Sequence, residues 1–497
     1  RQIGGVMLNN NSHAKGNIMQ RKYNIITLFT VVALLFSACQ VSPEKNAVIS
    51  KNDGSFETNL HKKAAQELYG EIPIQFSENF FCTDGSVEFQ MCIDQTISIT
   101  EMPVVEVVPH NLTGEDVNHV AQTLLKDAVF YEQEPDSSPQ YSKEELQEAI
   151  SCWSQYTNDD AYSILYGRVN EDDIDALKYN IQIYTELLES ASEDNPHKIC
   201  DWVFKPENYY FSEYPYSNDI IQATAMVDGI EYVLNAVTRV KQDFLLNSIT
   251  LGIGKTSIDR RILQAQMCRT DKPSQAQLEL CSERAQEILN QINLGTWFAD
   301  EPEIEVQYYG EIPEYSIRIN ARPVLEGITV LSGQKNPALT SSDTFSSEYY
   351  LTNAFFQFSP EGTLMSFGID SPIEINTVIN SDVYMLGLDE LVNIAKNHIS
   401  NADVYAGYGV PSGIIETYEQ SFGEKIKCEV TIDSMGFGLA RMKTANENYY
   451  YIPAIALYGT ADYYGVESGT FYIGSGEPFG ERQQALVWIN AIDGSII

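Results

Sequence analysis

The sequence predicts an α+β body: antiparallel sheets with helices packed on one face. Three observations carry this. Apolar residues alternate on both sides of Asp228-Gly229, the mark of a hairpin. Strand-like runs cluster together instead of alternating one by one with helices, which argues against a doubly wound parallel sheet. Several stretches place apolar residues at helical spacing behind a capping residue.

Taken in order, Ser86 to Ile93 and Pro103 to Val108 read as strands, rich in valine and aromatics. Thr113-Gly114-Glu115-Asp116 then opens a helix, because the threonine oxygen can accept an orphan N–H and an acid suits the first turn. Val117, Val120, Ala121, Leu124, Leu125 and Ala128 form its buried stripe; His119 lies off that stripe and is expected in solvent. Helices are expected near 142–157 and 171–190, after a Pro- and Ser-bearing loop from Gln133 to Gln140. The acidic run Glu171, Asp172, Asp173 and Asp175 lacks the spacing of a calcium loop and fits a helix start instead. The hairpin spans Ile220 to Lys241, and Phe244 to Leu251 offers a further strand.

Gly252-Ile253-Gly254-Lys255-Thr256 is a partial phosphate-loop pattern with Ile249 where the motif needs glycine, so phosphate binding is not assigned. Ser274 with Gln277 caps a helix carrying Leu278, Cys281, Ala285, Ile288, Leu289 and Ile292 on one face. Strands are expected at Glu303 to Tyr309, Tyr315 to Ala321 and Ile328 to Leu331. Another pair, Tyr349 to Phe358 and Leu364 to Ile369, is joined by Ser359-Pro360-Glu361-Gly362. Leu388, Leu391, Val392, Ala395 and Ile399 define a further helix with His398 at its edge. Ala406 to Gly413 reads as a glycine-rich loop without dinucleotide context. Strands then dominate: Cys428 to Ile432, Phe437 to Met442, Tyr449 to Tyr458, Thr470 to Ile473, and Ala485 to Ile492.

The address is written near the start. Arg21 and Lys22 precede an apolar run from Ile25 to Phe36, too short to span a bilayer, which needs about 20 residues. Met19 is taken as the start, and the residues before it are left out of the fold. Leu35-Phe36-Ser37-Ala38-Cys39 resembles the bacterial lipobox, with Phe36 where leucine is usual. The resemblance implies that Cys39 carries a lipid and becomes the mature N-terminus, a two-chain anchor in the membrane. Gln40 to Phe56 then reads as a tether. The expected organisation is upstream residues and signal peptide at 1–38, lipidated tether at 39–60, one α+β domain at 61–270 and a second at 271–497.

Charge excludes some partners. The chain has a net charge of −38. Its only charges before Cys39 are Arg1, Lys15, Arg21 and Lys22, so the remainder sets 27 basic against 69 acidic residues, a net −42. Such a surface repels nucleic acid and anionic lipid. Cys82, Cys92, Cys152, Cys200, Cys268, Cys281 and Cys428 follow Cys39 without any C-x-x-C pair, so zinc and thioredoxin-type readings have no support. Export permits disulfides, and Cys82 with Cys92 or Cys268 with Cys281 are near enough in sequence to close small loops; a buried thiol at Cys281 is an equal reading. No catalytic, metal or cofactor constellation is assigned, since G-x-S-x-G, H-E-x-x-H and Cys/His patterns are missing.

The ending carries a family resemblance. Tyr450 to Gly459 is a strand; Leu486-Val487-Trp488-Ile489-Asn490-Ala491-Ile492-Asp493-Gly494-Ser495-Ile496-Ile497 is a strand, an Asp-Gly turn and a short return. With the helix at 388–399, this resembles the PepSY unit of YycH/YycI-type extracytoplasmic proteins. Ser371-Pro372 and the late Ile452-Pro453 also resemble uncharacterised lipoproteins of clostridia-like bacteria. Helix-then-strands at 274–332 and 388–497 suggests tandem PepSY-like units in the C-terminal half. The resemblance implies a non-enzymatic interaction or regulatory module with an envelope or sensor protein as partner, and it brings no catalytic residues. Two other readings stand beside it: an extracellular hydrolase using two carboxylates, and a solute-binding lipoprotein.

Overall fold

The computed structural model describes residues 55–64, 69–82, 87–133, 141–193, 197–211, 214–238, 247–254, 256–331, 352–400, 419, 423–443, 449–469, 471–472 and 484–497. Cys39 and the glycine-rich stretch Ala406 to Gly413 lie outside them.

Chain order explains the architecture. A short helix, α1 (Ser55–Asn59), precedes β1 (Gly70–Phe81), β2 (Val87–Ile99) and β3 (Val104–Pro109). The chain then leaves this sheet to build α2 (Gly114–Leu124), β4 (Tyr131–Glu132), α3 (Lys143–Ser154), α4 (Asp159–Tyr166) and α5 (Glu171–Leu188). It continues through β5 (Lys205–Phe211), β6 (Tyr214–Val227), β7 (Ile230–Thr238), β8 (Ser248–Ile253), α6 (Ser257–Cys268) and α7 (Gln275–Gln291). Then come β9 (Thr296–Ala299), β10 (Glu303–Tyr309), β11 (Ile312–Leu325), β12 (Ile328–Thr329), β13 (Asn353–Phe358) and β14 (Leu364–Asp370). It returns as β15 (Ile373–Asn380), α8 (Leu388–Ile399), β16 (Ile426–Lys443), β17 (Tyr449–Gly465), β18 (Phe471–Tyr472) and β19 (Gln484–Asn490).

The strands before and after the excursion, β3 and β15, pair antiparallel from Pro109↔Ile373 onward. Residues 110–372 are therefore an insertion between two neighbouring strands. The smaller, base sheet runs β1-β2-β16-β17-β3-β15, with β18 and β19 on β17. The larger, inserted sheet runs β10-β11-β13-β14-β8-β7-β6-β4, with β5, β9 and β12 at its margins. Ladders between the described strands are antiparallel except β2 with β16, and two isolated bridges, Ser142↔Ser192 and Val330↔Leu439, are also parallel. The fold is thus α+β with mostly antiparallel sheets.

The expected boundary near residue 270 meets a different topology. Residue 270 sits between α6 and α7, both within the insertion, and each sheet takes strands from either side of it. The reason is non-local: β2 finds its partner in β16, more than 300 residues on, through Val87↔Cys428 to Met91↔Ile432. The segments 274–332 and 388–497 likewise fall in different sheets.

Local chemistry sets the elements. Thr113 caps α2 and closes a capping box with Asp116, and Val117, Val120, Ala121 and Leu124 are buried as the spacing predicts. Ser274 and Gln277 do the same for α7, which buries Cys281, Ala285, Ile288 and Leu289. Asp228 and Gly229 both take positive φ, 53° and 78°, as a type I′ turn between β6 and β7 requires. Each sheet has its own core. Leu391, Val392, Ala395 and Ile399 of α8 join Phe89, Met91, Val430 and Ile432 in the base. α2 and α7 cover Leu234, Leu251, Phe356 and Phe367 of the inserted sheet. Each large apolar side chain buried in this way contributes about 1.5–3 kcal/mol. Trp153, Leu165, Leu177, Ile258 and Ile262 knit α3 to α6 into a separate helical cluster.

The strands expected at Cys428 to Ile432 and Phe437 to Met442 are one continuous β16, bulged between Ile432 and Ser434. There the Gln95 side chain takes the place of a strand neighbour, accepting from Met435 N–H at 3.1 Å and donating to Met435 O at 2.5 Å. Beyond it, residues 329–331 dock on the same edge, with Leu331 N–H on Leu439 O at 2.8 Å. No disulfide joins the described cysteines. Cys92 is opposite Ser77 in the β1–β2 ladder, five positions from Cys82, far beyond disulfide reach. Among the described residues, no helix is long and apolar enough to cross a membrane.

Candidate functional site

The inserted sheet has two unlike faces. Period-2 alternation sends Leu234, Leu251, Phe367 and Phe356 to the α2/α7 side. Their neighbours Val233, Gly252, Ser366 and Gln357 form one cross-strand row on the opposite side. Asn235, Thr250, Gly368 and Phe355 form the next. These positions are half-buried except Gly368, which Phe355 covers. A cleft of about 340 Å³ opens here, floored by Asn235, Thr250, Gly252, Gln357 and Ser366 and walled by Arg260 and Gln264 of α6.

Helix α6 is held over this face by specific contacts. Gly254, with φ of 77°, turns the chain back from β8; a Cβ there would stand 2.5 Å from Arg260 N and 2.7 Å from its Cα. Thr256 caps the helix and shares a capping box with Asp259, whose carboxylate also accepts from Trp153 Nε1 at 2.7 Å. Arg261 and Glu314, both 4% exposed, are paired fork to fork at 2.7 Å on each arm. Arg269 adds a third bond to Glu314 at 2.7 Å, and both arginines donate to Leu165 O. Tyr309 stacks on Arg261 with the guanidinium carbon 3.4 Å from the ring centre. Burial pushes the Cys268 thiol at the end of α6 up to about 12, and its Sγ lies 3.5 Å from Met365 Sδ.

The cleft's polar groups are largely uncommitted. Gln357 donates its amide to Glu305 at 3.2 Å and Ser316 at 3.1 Å, leaving its oxygen as an acceptor. Arg260 donates Nε to Ile253 O at 3.3 Å and, among the described residues, has no carboxylate partner. The side chains of Asn235, Gln264 and Ser366 make no hydrogen bond to other described residues. Amides, hydroxyls and one guanidinium recognise by hydrogen bonding. The lining contains no carboxylate, histidine or cysteine.

Residues singled out in the sequence sit elsewhere. His119 is exposed, with Nε2 2.7 Å from Gln291 O. Burial pushes His398 below its ordinary range at the edge of the α8 stripe. The run from Glu171 starts α5, where Asp173 accepts from Tyr162 Oη and Asn170 Nδ2. Among the described residues, no three His, Cys, Asp or Glu side chains converge as a metal site. The strand at Gly252 does run into a helix, but that helix start is filled by Asp259. The cleft residues escaped the sequence reading. Their only signal is parity: a polar residue between buried ones, as Asn235 stands between Leu234 and Ala236.

No family model matches this chain, and no curated protein matches it. Among solved structures it is similar to an uncharacterized protein from Eubacterium rectale ATCC 33656, at 10% identity and a TM-score of 0.30, over 84% of this chain and 97% of that one.

Proposed function

We propose that the chain is a non-enzymatic binding module of the cell envelope, anchored by lipid on Cys39, with the cleft beneath α6 as its binding site. One observation carries the reading. The cleft walls offer unengaged amides, a hydroxyl and a guanidinium, and none of the groups that move protons near neutral pH. That set suits recognition. Its volume of 340 Å³ falls at the small end of ligand sites, about 300–1,000 Å³. The acid-rich composition fits a body held off an anionic surface. The PepSY-like ending adds a regulatory role toward an envelope or sensor protein, with ligand occupancy as the natural input.

Two measurements test this. Mass spectrometry of the chain from native membranes should find diacylglyceryl on Cys39, and Cys39→Ala should release the protein. Titration with small polar ligands, followed by amide hydrogen exchange, should protect β7, β8 and β14. Turnover of an envelope polymer by the pure chain, with no protection of those strands, would overturn the proposal.

A further inference from the structure

We propose that the cleft selects a carboxylate-bearing, hydroxyl-rich small molecule, an acidic sugar of the uronic class, with Arg260 as its anion contact. The inference rests on the reading of the cleft as a binding site.

Acids outnumber bases 69 to 31, and the buried or half-buried arginines of α6, its C-cap and β11 each meet a carboxylate. Arg261 and Arg269 hold Glu314, Arg318 faces Glu305, and Arg322 holds Asp300. Arg260 is exposed where it lines the cavity, donates Nε to the backbone, and makes no hydrogen bond or ion pair through its terminal nitrogens to other described residues. A guanidinium edge matches a planar carboxylate through two parallel hydrogen bonds. Its position is fixed from behind, because Arg261 is locked to Glu314 and Gly254 seats the backbone of Arg260 against β8. Around it, Asn235 and Gln264 present amides, Gln357 an acceptor oxygen and Ser366 a hydroxyl. These are complementary to ring hydroxyls. Inorganic phosphate, a tetrahedral dianion, would want more than one cation.

Calorimetry on the full chain decides the matter with D-glucuronate, D-glucose and inorganic phosphate as probes. Glucuronate should bind, glucose about tenfold or more weaker, and Arg260→Gln should abolish that difference. Arg260→Lys should restore part of it, since charge is kept and the fork is lost. Thermal melts of each variant check folding. Gly252→Val serves as a separate control for location. A Cβ at Gly252 meets no atom within 4 Å, so the side chain fills the cleft floor and should block binding. Equal binding of glucose and glucuronate, unchanged in Arg260→Gln, overturns the carboxylate assignment while leaving the cleft. Phosphate binding as tightly as glucuronate overturns the ligand class. Glucuronate binding that ignores Gly252→Val overturns both the assignment and the site, as does no binding by any probe.

Discussion

Gly438 of β16 faces the Thr329 carbonyl so closely that a methyl on its Cα would stand 2.7 Å from that oxygen. This contact lets the inserted part meet the base. Val330 bridges to Leu439, and Leu325 and Val330 join the base core. Gly436 makes the same allowance for Leu331, whose Cδ2 would lie 2.9 Å from an added Cβ.

Gly438→Ala should therefore push residues 329–331 off β16. The expected loss is about 1–3 kcal/mol, the cost of overpacking a close contact. Hydrogen exchange should localise it to 325–331 and the facing part of β16. Unchanged protection there would show that the contact does not hold the two parts together.

The Arg261–Glu314 pair predicts an asymmetric result. Glu314→Gln leaves two arginines, one buried, without their carboxylate and should cost about 3–5 kcal/mol by urea denaturation. Replacing Arg261 and Glu314 together by Met and Leu should cost clearly less, because the fully buried charge goes with its partner and only half-buried Arg269, which can turn to solvent, loses its carboxylate. Equal losses in the single and double variants would contradict a desolvation penalty as the cause.

His110 sits where the chain passes between the sheets. Its N–H donates to Pro372 O at 2.8 Å, and its ring lies between Glu374 and Asp116. Burial works to lower the ring's affinity for protons, but the Glu374 and Asp116 hydrogen bonds prevail and raise it above the ordinary 6.5. The stabilisation is thus complete below that value and lost as pH rises through the folded one. Asp116 behaves oppositely. Burial raises it, Thr113 and His110 together pull it below 3.8, and its contribution is lost only as pH falls through the lowered value. Urea midpoints should decline as pH rises above about 6.5, and His110→Gln should flatten that slope. A slope unaltered by the substitution would remove His110 from the account.

Thiol reactivity should follow burial. Cys92 is exposed and should react first among the described cysteines. Burial pushes Cys281 up to about 11 and Cys268 up to about 12, and neither should react before unfolding. Rapid labelling of Cys281 in the native protein would contradict the α7 packing.

Much of the fold was readable in the sequence because its causes are local. The Thr113 and Ser274 capping boxes, the Asp228-Gly229 turn and the α8 stripe each involve residues a few positions apart. α6 was missed because Gln264, Gln266 and two arginines dilute its apolar stripe, and its fixing contacts come from Glu314 and Leu165. The cleft was missed for a related reason: a polar residue on a strand looks the same in sequence whether it faces solvent or a helix.

The sequence by itself determined the α+β class, most helices and turns, and the strands as separate pieces, since backbone preferences and side-chain period act over a few residues. Only the tertiary structure decided that β3 and β15 are neighbours, that 110–372 is inserted between them, and that Arg260 faces Asn235 and Ser366 across a cleft. Those facts depend on which distant strands exchange hydrogen bonds, and a strand's own residues leave that choice open among many partners of equal local merit.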